Sequence, residues 1–294
     1  MSVPLSAELA AQLMAQLVAR PCVLVFAGLD PSGGAGIAAD LQSVAGQGAH
    51  ALTVATALTV QDNDRVYGVQ PVDGDMVLRQ AQALVDKVTV RAVKIGIPGS
   101  AANALAIADI ITRLRVRQPE LPVVLDPVLA SGHGDLLSRD DAVQALAPLL
   151  PLVTVLTPNG PEALALTGAA DPSAQAQALR ARGCRHVLIT GGHDVGIDRG
   201  DEVINRWFGP GAAPMQRLSD PGPQEDSRNW NWPRLSGAFH GSGCTLASAI
   251  AGQLALGMPM ERSLELAQQY CYRSLRGAYT VASGQRIPQR LPHI

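Results

Sequence analysis

The stretch 22-CVLVFAGLDPSGGAGIAADLQSVAGQG-48 governs how the rest of the chain is read. Cys22 to Gly28 is a short, continuous apolar run ending at glycine, which suits a strand buried on both faces. Glycines 28, 33, 34 and 36 then crowd a turn around Asp30 and Pro31. From Gly36 onward the pattern is helical. Strand, glycine-rich turn and helix in that order open a parallel α/β sheet.

The same order repeats downstream. Residues 51–60 (ALTVATALTV), 92–96 (AVKIG), 122–126 (PVVLD), 152–157 (LVTVLT) and 186–190 (HVLIT) read as strands. Residues 74–87, 101–117, 141–150, 161–168 and 173–183 read as helices, and two more close the pattern near 243–256 and 260–280. The alternation predicts a doubly wound, mostly parallel central sheet flanked by helices through right-handed crossovers. Region 193–236 breaks it with GPGAAP and SDPGPQEDSRNWNWP, which predicts two or three antiparallel edge strands near 200–236 with exposed loops. The expected organisation is an N-terminal extension (1–20) carrying a short amphipathic helix over 6–19, one domain over 21–285, and a tail over 286–294.

Composition narrows the function. A net charge of -2 leaves no basic footprint for nucleic acid. No run reaches the roughly 18 apolar residues of a membrane span, and the start lacks the features of a signal peptide. Cys22, Cys184, Cys244 and Cys271 stand apart without a C-x-x-C pair, which argues against zinc and for free thiols in a reducing cytoplasm. Aromatics are only 3% of residues, so the core is built from small and branched aliphatics.

Ligands of such sheets lie beyond the C-terminal ends of the strands. There the chain places GLDPSGG, QDND, GIPGS, DPVLASGHGD, TPNGPEA, TGGHD and HGSGC. Gly28 and Gly33 have P-loop spacing, but Gly34 stands where the lysine belongs, and no G-x-G-x-x-G is present. The first turn is therefore either a tight connection or backbone that approaches a small ligand. Asp40, inside the following helix, reads by itself as a solvated face residue. Asp126 ends a strand. Asn159 and Glu162 have the spacing of a helix cap, and strand-end carboxylates also hold hydrated magnesium near phosphates.

The stretch 238-AFHGSGCTLASAIAG-252 carries the sharpest local physics. The N–H groups of Gly241, Ser242 and Gly243 at a helix start form an anion hole. Cys244 in the first turn has three readings: a small buried hydrophobe, a nucleophile served by a base such as His240, or a proton acceptor beside bound phosphate. The helix dipole favours its thiolate. His133 and His193 fall on the same edge, while His50, His186 and His293 read as structural or solvated.

These motifs, in this order and spacing over residues 21–285, resemble the hydroxymethylpyrimidine/phosphomethylpyrimidine kinases of thiamine biosynthesis, in the ribokinase-like superfamily. The resemblance implies an ATP-dependent kinase acting on 4-amino-5-hydroxymethyl-2-methylpyrimidine and then on its monophosphate, with Mg2+. It implies that Gln61 binds the pyrimidine, with Gly28, Ala35, Asp40 and Val128 lining the pocket. Asp126 and Glu162 would organise the metal, and Asn159, Thr190 and Gly192 would lie beside the nucleotide phosphates. Gly241, Ser242, Gly243 and Cys244 would form the catalytic turn, with Cys244 as base. A homodimer is expected. Thr190 stands where the family often has lysine, Ser242 where threonine is usual, and Ile97 where methionine often lines the pocket; the 209–236 insert is long and polar. A pyridoxal-type kinase on the same scaffold and a non-catalytic pyrimidine sensor are the alternatives.

Overall fold

A computed structural model of the chain describes residues 19–129, 142–192, 201–210 and 226–291. Nine strands form one sheet: β1 (Cys22–Leu29), β2 (His50–Gln61), β3 (Val66–Pro71), β4 (Val90–Ile95), β5 (Val123–Leu125), β6 (Val155–Leu156), β7 (His186–Ile189), β8 (Glu202–Gly209) and β9 (Asp226–Pro233). Their order is β3-β2-β1-β4-β5-β6-β7-β8-β9. The six central strands from β2 to β7 pair in parallel, while β3 at one edge and β8 and β9 at the other are antiparallel. The expected doubly wound sheet is thus present, and its two late edge strands fall within 200–236.

Alternation along the strands divides the core. Leu24 and Phe26 of β1 and Ile95 of β4 face one layer, with α2 (Gly74–Val85), α3 (Ala101–Arg117), α4 (Ala142–Leu146), α5 (Gly160–Thr167) and α6 (Pro172–Ala181). Val23, Val25 and Ala27 face the other, with α1 (Gly36–Gly46), α7 (Ser242–Ala255) and α8 (Met260–Arg276). The chain leaves β1 toward β2 on one side and reaches β4 on the other. The strand order therefore reverses at β1, and a crevice opens there beyond the strand ends.

Some elements differ from the sequence reading. QDND is the tip of a β2–β3 hairpin whose second strand the sequence reading did not assign; Gly68 and Pro71 in an edge strand give β3 little periodic signal. Only Val155 and Leu156 of the expected 152–157 strand are paired, because Leu150–Leu152 forms a 3-10 turn around Pro151. Of the expected helix over 141–150, the described residues are α-helical over Ala142–Leu146, ending two residues before Pro148. The expected N-terminal helix, His133, His193, His293 and most of the 209–236 insert lie outside the described residues.

The stretch expected as a tail is built into the body. Ile287 and Arg290 are buried. Residues 286–287 pair with Phe239 and Tyr279 as bridges, and the Asn63 side chain at the hairpin tip donates to the carbonyls of Ser283 and Gln285.

Candidate active site

The site grows from two glycine turns that touch. Gly241, at φ 77°, caps α7. A Cβ there would meet the Gly34 carbonyl oxygen at 2.1 Å, and one on Gly36 (φ 54°) would meet the Gly28 oxygen at 2.3 Å, so both positions require glycine. Gly241 offers no side-chain cap, and Thr245 N–H is the first to reach back, to the Gly241 oxygen at 2.9 Å. The N–H groups of Ser242, Gly243 and Cys244 therefore have no partner within the helix. Free N–H groups at the positive end of a helix bind anions.

Asp126 lies directly against this helix start. A Cβ on the exposed Gly243 would sit 3.3 Å from its Oδ1 and 3.4 Å from its Oδ2. The carboxyl is buried, and Oδ2 has no hydrogen-bond partner among the described residues. Burial pushes its pKa up to about 6, with Asp40 adding to the rise and Lys94 and the Cys244 thiol opposing it. Burial, then the charge of Asp126, pushes Glu162 up to about 8. A carboxyl raised by the charge of a second one, beside an oxygen without a partner among the described residues, suits a cation. Among the described residues no cluster of three or more His, Cys, Asp or Glu side chains forms a metal site. Two carboxylates suit Mg2+, which keeps waters and takes its remaining oxygens from substrate phosphates.

Glu162 also completes a capping box on α5. Its backbone N–H donates to Asn159 Oδ1 at 2.8 Å, and its Oε2 accepts from Asn159 N–H at 2.9 Å. The helix-cap reading of the pair is therefore realised, and the cap itself fixes Glu162 facing Asp126. Thr190 bridges to Asn159 on the adjacent strand end. The loop that follows is held by Asn205, whose Oδ1 accepts from Gly191 N–H at 3.1 Å and whose Nδ2 donates to Gln268 Oε1 at 2.9 Å. Gly192 is exposed at its end.

Lys94 escaped the sequence reading, although a lysine inside an apolar strand run was the available signal. Alternation on β4 turns it toward α1 and α7, where it is fully buried and donates to both oxygens of Asp40. Ser248 on α7 donates to Asp40 as well, at 2.7 Å. Burial pushes the Lys94 pKa down, but Asp40, Cys244 and Asp126 more than reverse it, so the ammonium is held charged. The solvated reading of Asp40 is thereby overturned. Its oxygens are committed to Lys94 and Ser248, so it ties α1 to β4 and α7.

Two expectations about Cys244 change. Burial pushes its thiol up to about 12, and the pull of Lys94 does not offset that, so the free chain holds a thiol where the dipole argument gave a thiolate. His240 does not serve it as base: His240 Nε2 lies 2.8 Å from Asp30 Oδ2. Asp30, also missed, is buried and accepts from Ser32 N–H, Ser32 Oγ and Ala35 N–H at 2.8, 3.0 and 2.7 Å. Burial raises its pKa, yet the bonds from His240 and Ser32 bring it below the usual carboxylate range. Asp30 thus shapes the first glycine turn and ties it to the second.

Across the crevice, Thr59 Oγ1 donates to the Leu29 carbonyl at 2.8 Å, and Gln61 Nε2 donates to Thr59 Oγ1 at 2.8 Å. Gln61 therefore overhangs the end of β1. Ile97 lies over Gly28, where a Cβ would come within 2.7 Å of its Cδ1. Ala35 and Val128 are half-buried on the loops after β1 and β5.

A family profile for phosphomethylpyrimidine kinase matches residues 30–289. A hydroxymethylpyrimidine/phosphomethylpyrimidine kinase of Rhizobium meliloti is 36% identical over 269 residues, covering 89% of this chain and 93% of that one. The thiamine biosynthesis multifunctional protein ThiED of Corynebacterium efficiens is 36% identical over 273 residues; the match takes in 91% of this chain and 34% of that longer protein. Among solved structures, phosphomethylpyrimidine kinase from Clostridium difficile 630 superposes with a TM-score of 0.69 at 28% identity, covering 86% of this chain and 99% of that one. An ADP complex of Bacillus subtilis pyridoxal kinase gives 0.77 at 24% identity over 92% and 98% of the two chains, a likeness of fold.

Proposed function

The chain belongs to the phosphomethylpyrimidine kinase family, and on that premise we propose how its residues divide the work. It is a phosphotransferase of thiamine biosynthesis, acting on 4-amino-5-hydroxymethyl-2-methylpyrimidine and on its monophosphate. ATP is the donor. The hydroxymethyl oxygen bonds to the γ-phosphorus, the bond from that phosphorus to the β–γ bridging oxygen breaks, and ADP leaves.

One observation carries the assignment: the start of α7, where the N–H groups of Ser242, Gly243 and Cys244 have no partner within the helix, packs at Gly243 against Asp126, whose Oδ2 has no hydrogen-bond partner among the described residues. The N–H groups hold the transferring phosphoryl oxygens, as the loose transition state of phosphoryl transfer rewards positioned donors above all. Asp126 and Glu162 would hold Mg2+, which neutralises phosphate charge when bound. Asn159, Thr190 and Gly192 lie beside the nucleotide phosphates. Gln61 reads the aminopyrimidine edge, since a carboxamide both donates and accepts, over a pocket lined by Gly28, Ala35 and Val128. The Cys244 thiol first releases its own proton to solvent, Lys94 stabilises the resulting thiolate, and that thiolate takes the hydroxyl proton as the oxygen bonds to phosphorus.

A homodimer is supported by the exposed apolar side chains of Leu58, Val60 and Tyr67 along the β2–β3 hairpin. Cys22, Cys184, Cys244 and Cys271 are all free thiols, which supports the cytoplasm. No helix of the described residues is long and apolar enough to cross a membrane.

The test is product analysis with ATP, Mg2+ and the hydroxymethylpyrimidine. Monophosphate followed by diphosphate is expected, with one ADP per transfer. Binding of the pyrimidine without ADP release would leave a sensor, and faster turnover of pyridoxal would leave a pyridoxal-type kinase.

A further inference from the structure

Arg290 comes from the C-terminal segment, far in sequence from every motif of the site, yet it is buried to 3% exposure beneath the phosphate-binding turn. The segment that delivers it is firmly seated. Arg286 N–H donates to the Ala238 oxygen and His240 N–H to the Arg286 oxygen, both at 2.9 Å, so residues 286–290 run beside the approach to α7. Tyr270 Oη donates to the Arg290 carbonyl at 2.6 Å, and Gln289 N–H to the Ser274 oxygen at 2.9 Å.

The guanidinium spans both glycine turns. Nε donates to Thr245 Oγ1 at 2.9 Å. Nη2 donates to the Gly34 carbonyl of the first turn and reaches the His240 and Gly241 carbonyls of the second, each at 3.4 Å. Nη1 is buried with no partner among the described residues. In a planar trans peptide the C=O and the following N–H point in opposite directions. Turning the His240 and Gly241 carbonyls toward Arg290 therefore turns the N–H groups of Gly241 and Ser242 away from it. The same contact takes the negative ends of those peptides out of the path of an incoming phosphate and leaves a positive charge behind the turn.

We propose that Arg290 is a positioning residue for phosphoryl transfer: it locks the 30–36 and 240–245 turns together and sets the direction of the Ser242 N–H, the first of the groups that hold the phosphoryl oxygens. The inference rests on the kinase reading of that turn. It assigns the C-terminal segment to the catalytic apparatus, and it distinguishes Arg from Lys, because a single ammonium cannot serve a hydroxyl and three carbonyls from a planar fork.

Three variants test it in the full-length protein: Arg290→Ala, Arg290→Lys and Thr245→Val. Arg290→Ala is expected to lower kcat about 100-fold, the scale of losing one oriented oxyanion donor, with KM for the pyrimidine within threefold and partial recovery of kcat on adding methylguanidinium. Arg290→Lys and Thr245→Val should fall between it and the wild type, and Arg290→Lys carries the test if the alanine variant does not fold. Wild-type kcat in a folded Arg290→Ala or Arg290→Lys protein, or equal rises in both KM values without rescue, overturns the proposal. Amide hydrogen exchange over 30–36 and 240–246 separates this outcome from failure of the kinase reading. Should the wild type not phosphorylate the pyrimidine, faster exchange in Arg290→Ala still supports the lock, and unchanged exchange overturns it.

Discussion

Lys94 Nζ sits 2.7 Å from Oδ1 and 2.8 Å from Oδ2 of Asp40, with both side chains wholly removed from solvent. The ion pair joins β4 to α1, and Ser248 of α7 donates to the same Asp40 carboxylate. Removing one member of such a pair strands the other charge in the core, at a cost of about 3–5 kcal/mol. Lys94→Met should therefore lower the unfolding free energy by that amount, and Lys94→Met/Asp40→Leu should recover much of it. Equilibrium unfolding in urea decides the matter; a loss under about 1 kcal/mol in the single variant would contradict an uncompensated buried charge.

Cys244 is the point where sequence and structure pull in different directions. With its thiol pushed up to about 12, proton acceptance requires help that the free chain does not supply. If Cys244 is the acceptor, Cys244→Ala should cut kcat about 100-fold or more, within the usual range for general-base removal, while KM for the pyrimidine holds. Steady-state kinetics at saturating ATP measures this. Near-normal turnover in Cys244→Ala would show that the turn alone suffices and would remove the base role.

The parallel strands were legible because burial on both faces writes a continuous apolar run, as in Val23–Ala27. The hairpin strand β3 was not, because Tyr67 and Gln70 face solvent at an edge, the other four residues are only half-buried, and none carries a strong periodic constraint. At the site, glycines and strand-end acids announced the Gly241 turn, Asp126 and Glu162, since those positions demand particular residue types. Asp30, Lys94 and Arg290 act by supporting others. Their partners come from distant segments: His240 for Asp30, Asp40 and Ser248 for Lys94, Gly34 and Thr245 for Arg290. Nothing in the local pattern encodes such pairings, and only the assembled fold brings them together.

Gln61 offers a test of specificity. Its amide nitrogen is steadied by Thr59 Oγ1, itself tied to the Leu29 carbonyl. Gln61→Ala should raise KM for the hydroxymethylpyrimidine about 10–100-fold, since a polar site left unmatched loses roughly 1–3 kcal/mol, with KM for ATP nearly unchanged. Thr59→Val should show a weaker form of the same defect. Equal effects on both substrates in initial-rate assays would contradict the assignment of Gln61 to the pyrimidine.

Glu162 gives the fold a pH dependence whose sign follows from its environment. Burial and Asp126 raise it from 4.5 to about 8, so between those values the folded chain holds a proton that the unfolded chain has lost. Stability from this group is full below the lower value and declines as pH rises toward the upper one. Asp126, raised to about 6, behaves alike at lower pH. His186 opposes both, because burial lowers it from 6.5 to about 4, but its contribution is complete above pH 6.5. The interval from pH 6.5 to 8 therefore isolates Glu162. Without divalent cations, the wild-type Tm should fall by several degrees across it, and Glu162→Gln, which keeps an oxygen for the Asn159 N–H, should flatten the slope. Mg2+ with ADP needs the carboxylates ionised, so its stabilising shift should be larger at pH 8 than at pH 6.5 and largely absent in Glu162→Gln. Thermal melts at the two pH values, with and without Mg2+ and ADP, measure all four quantities, and an unchanged slope in Glu162→Gln would exclude Glu162 as its source.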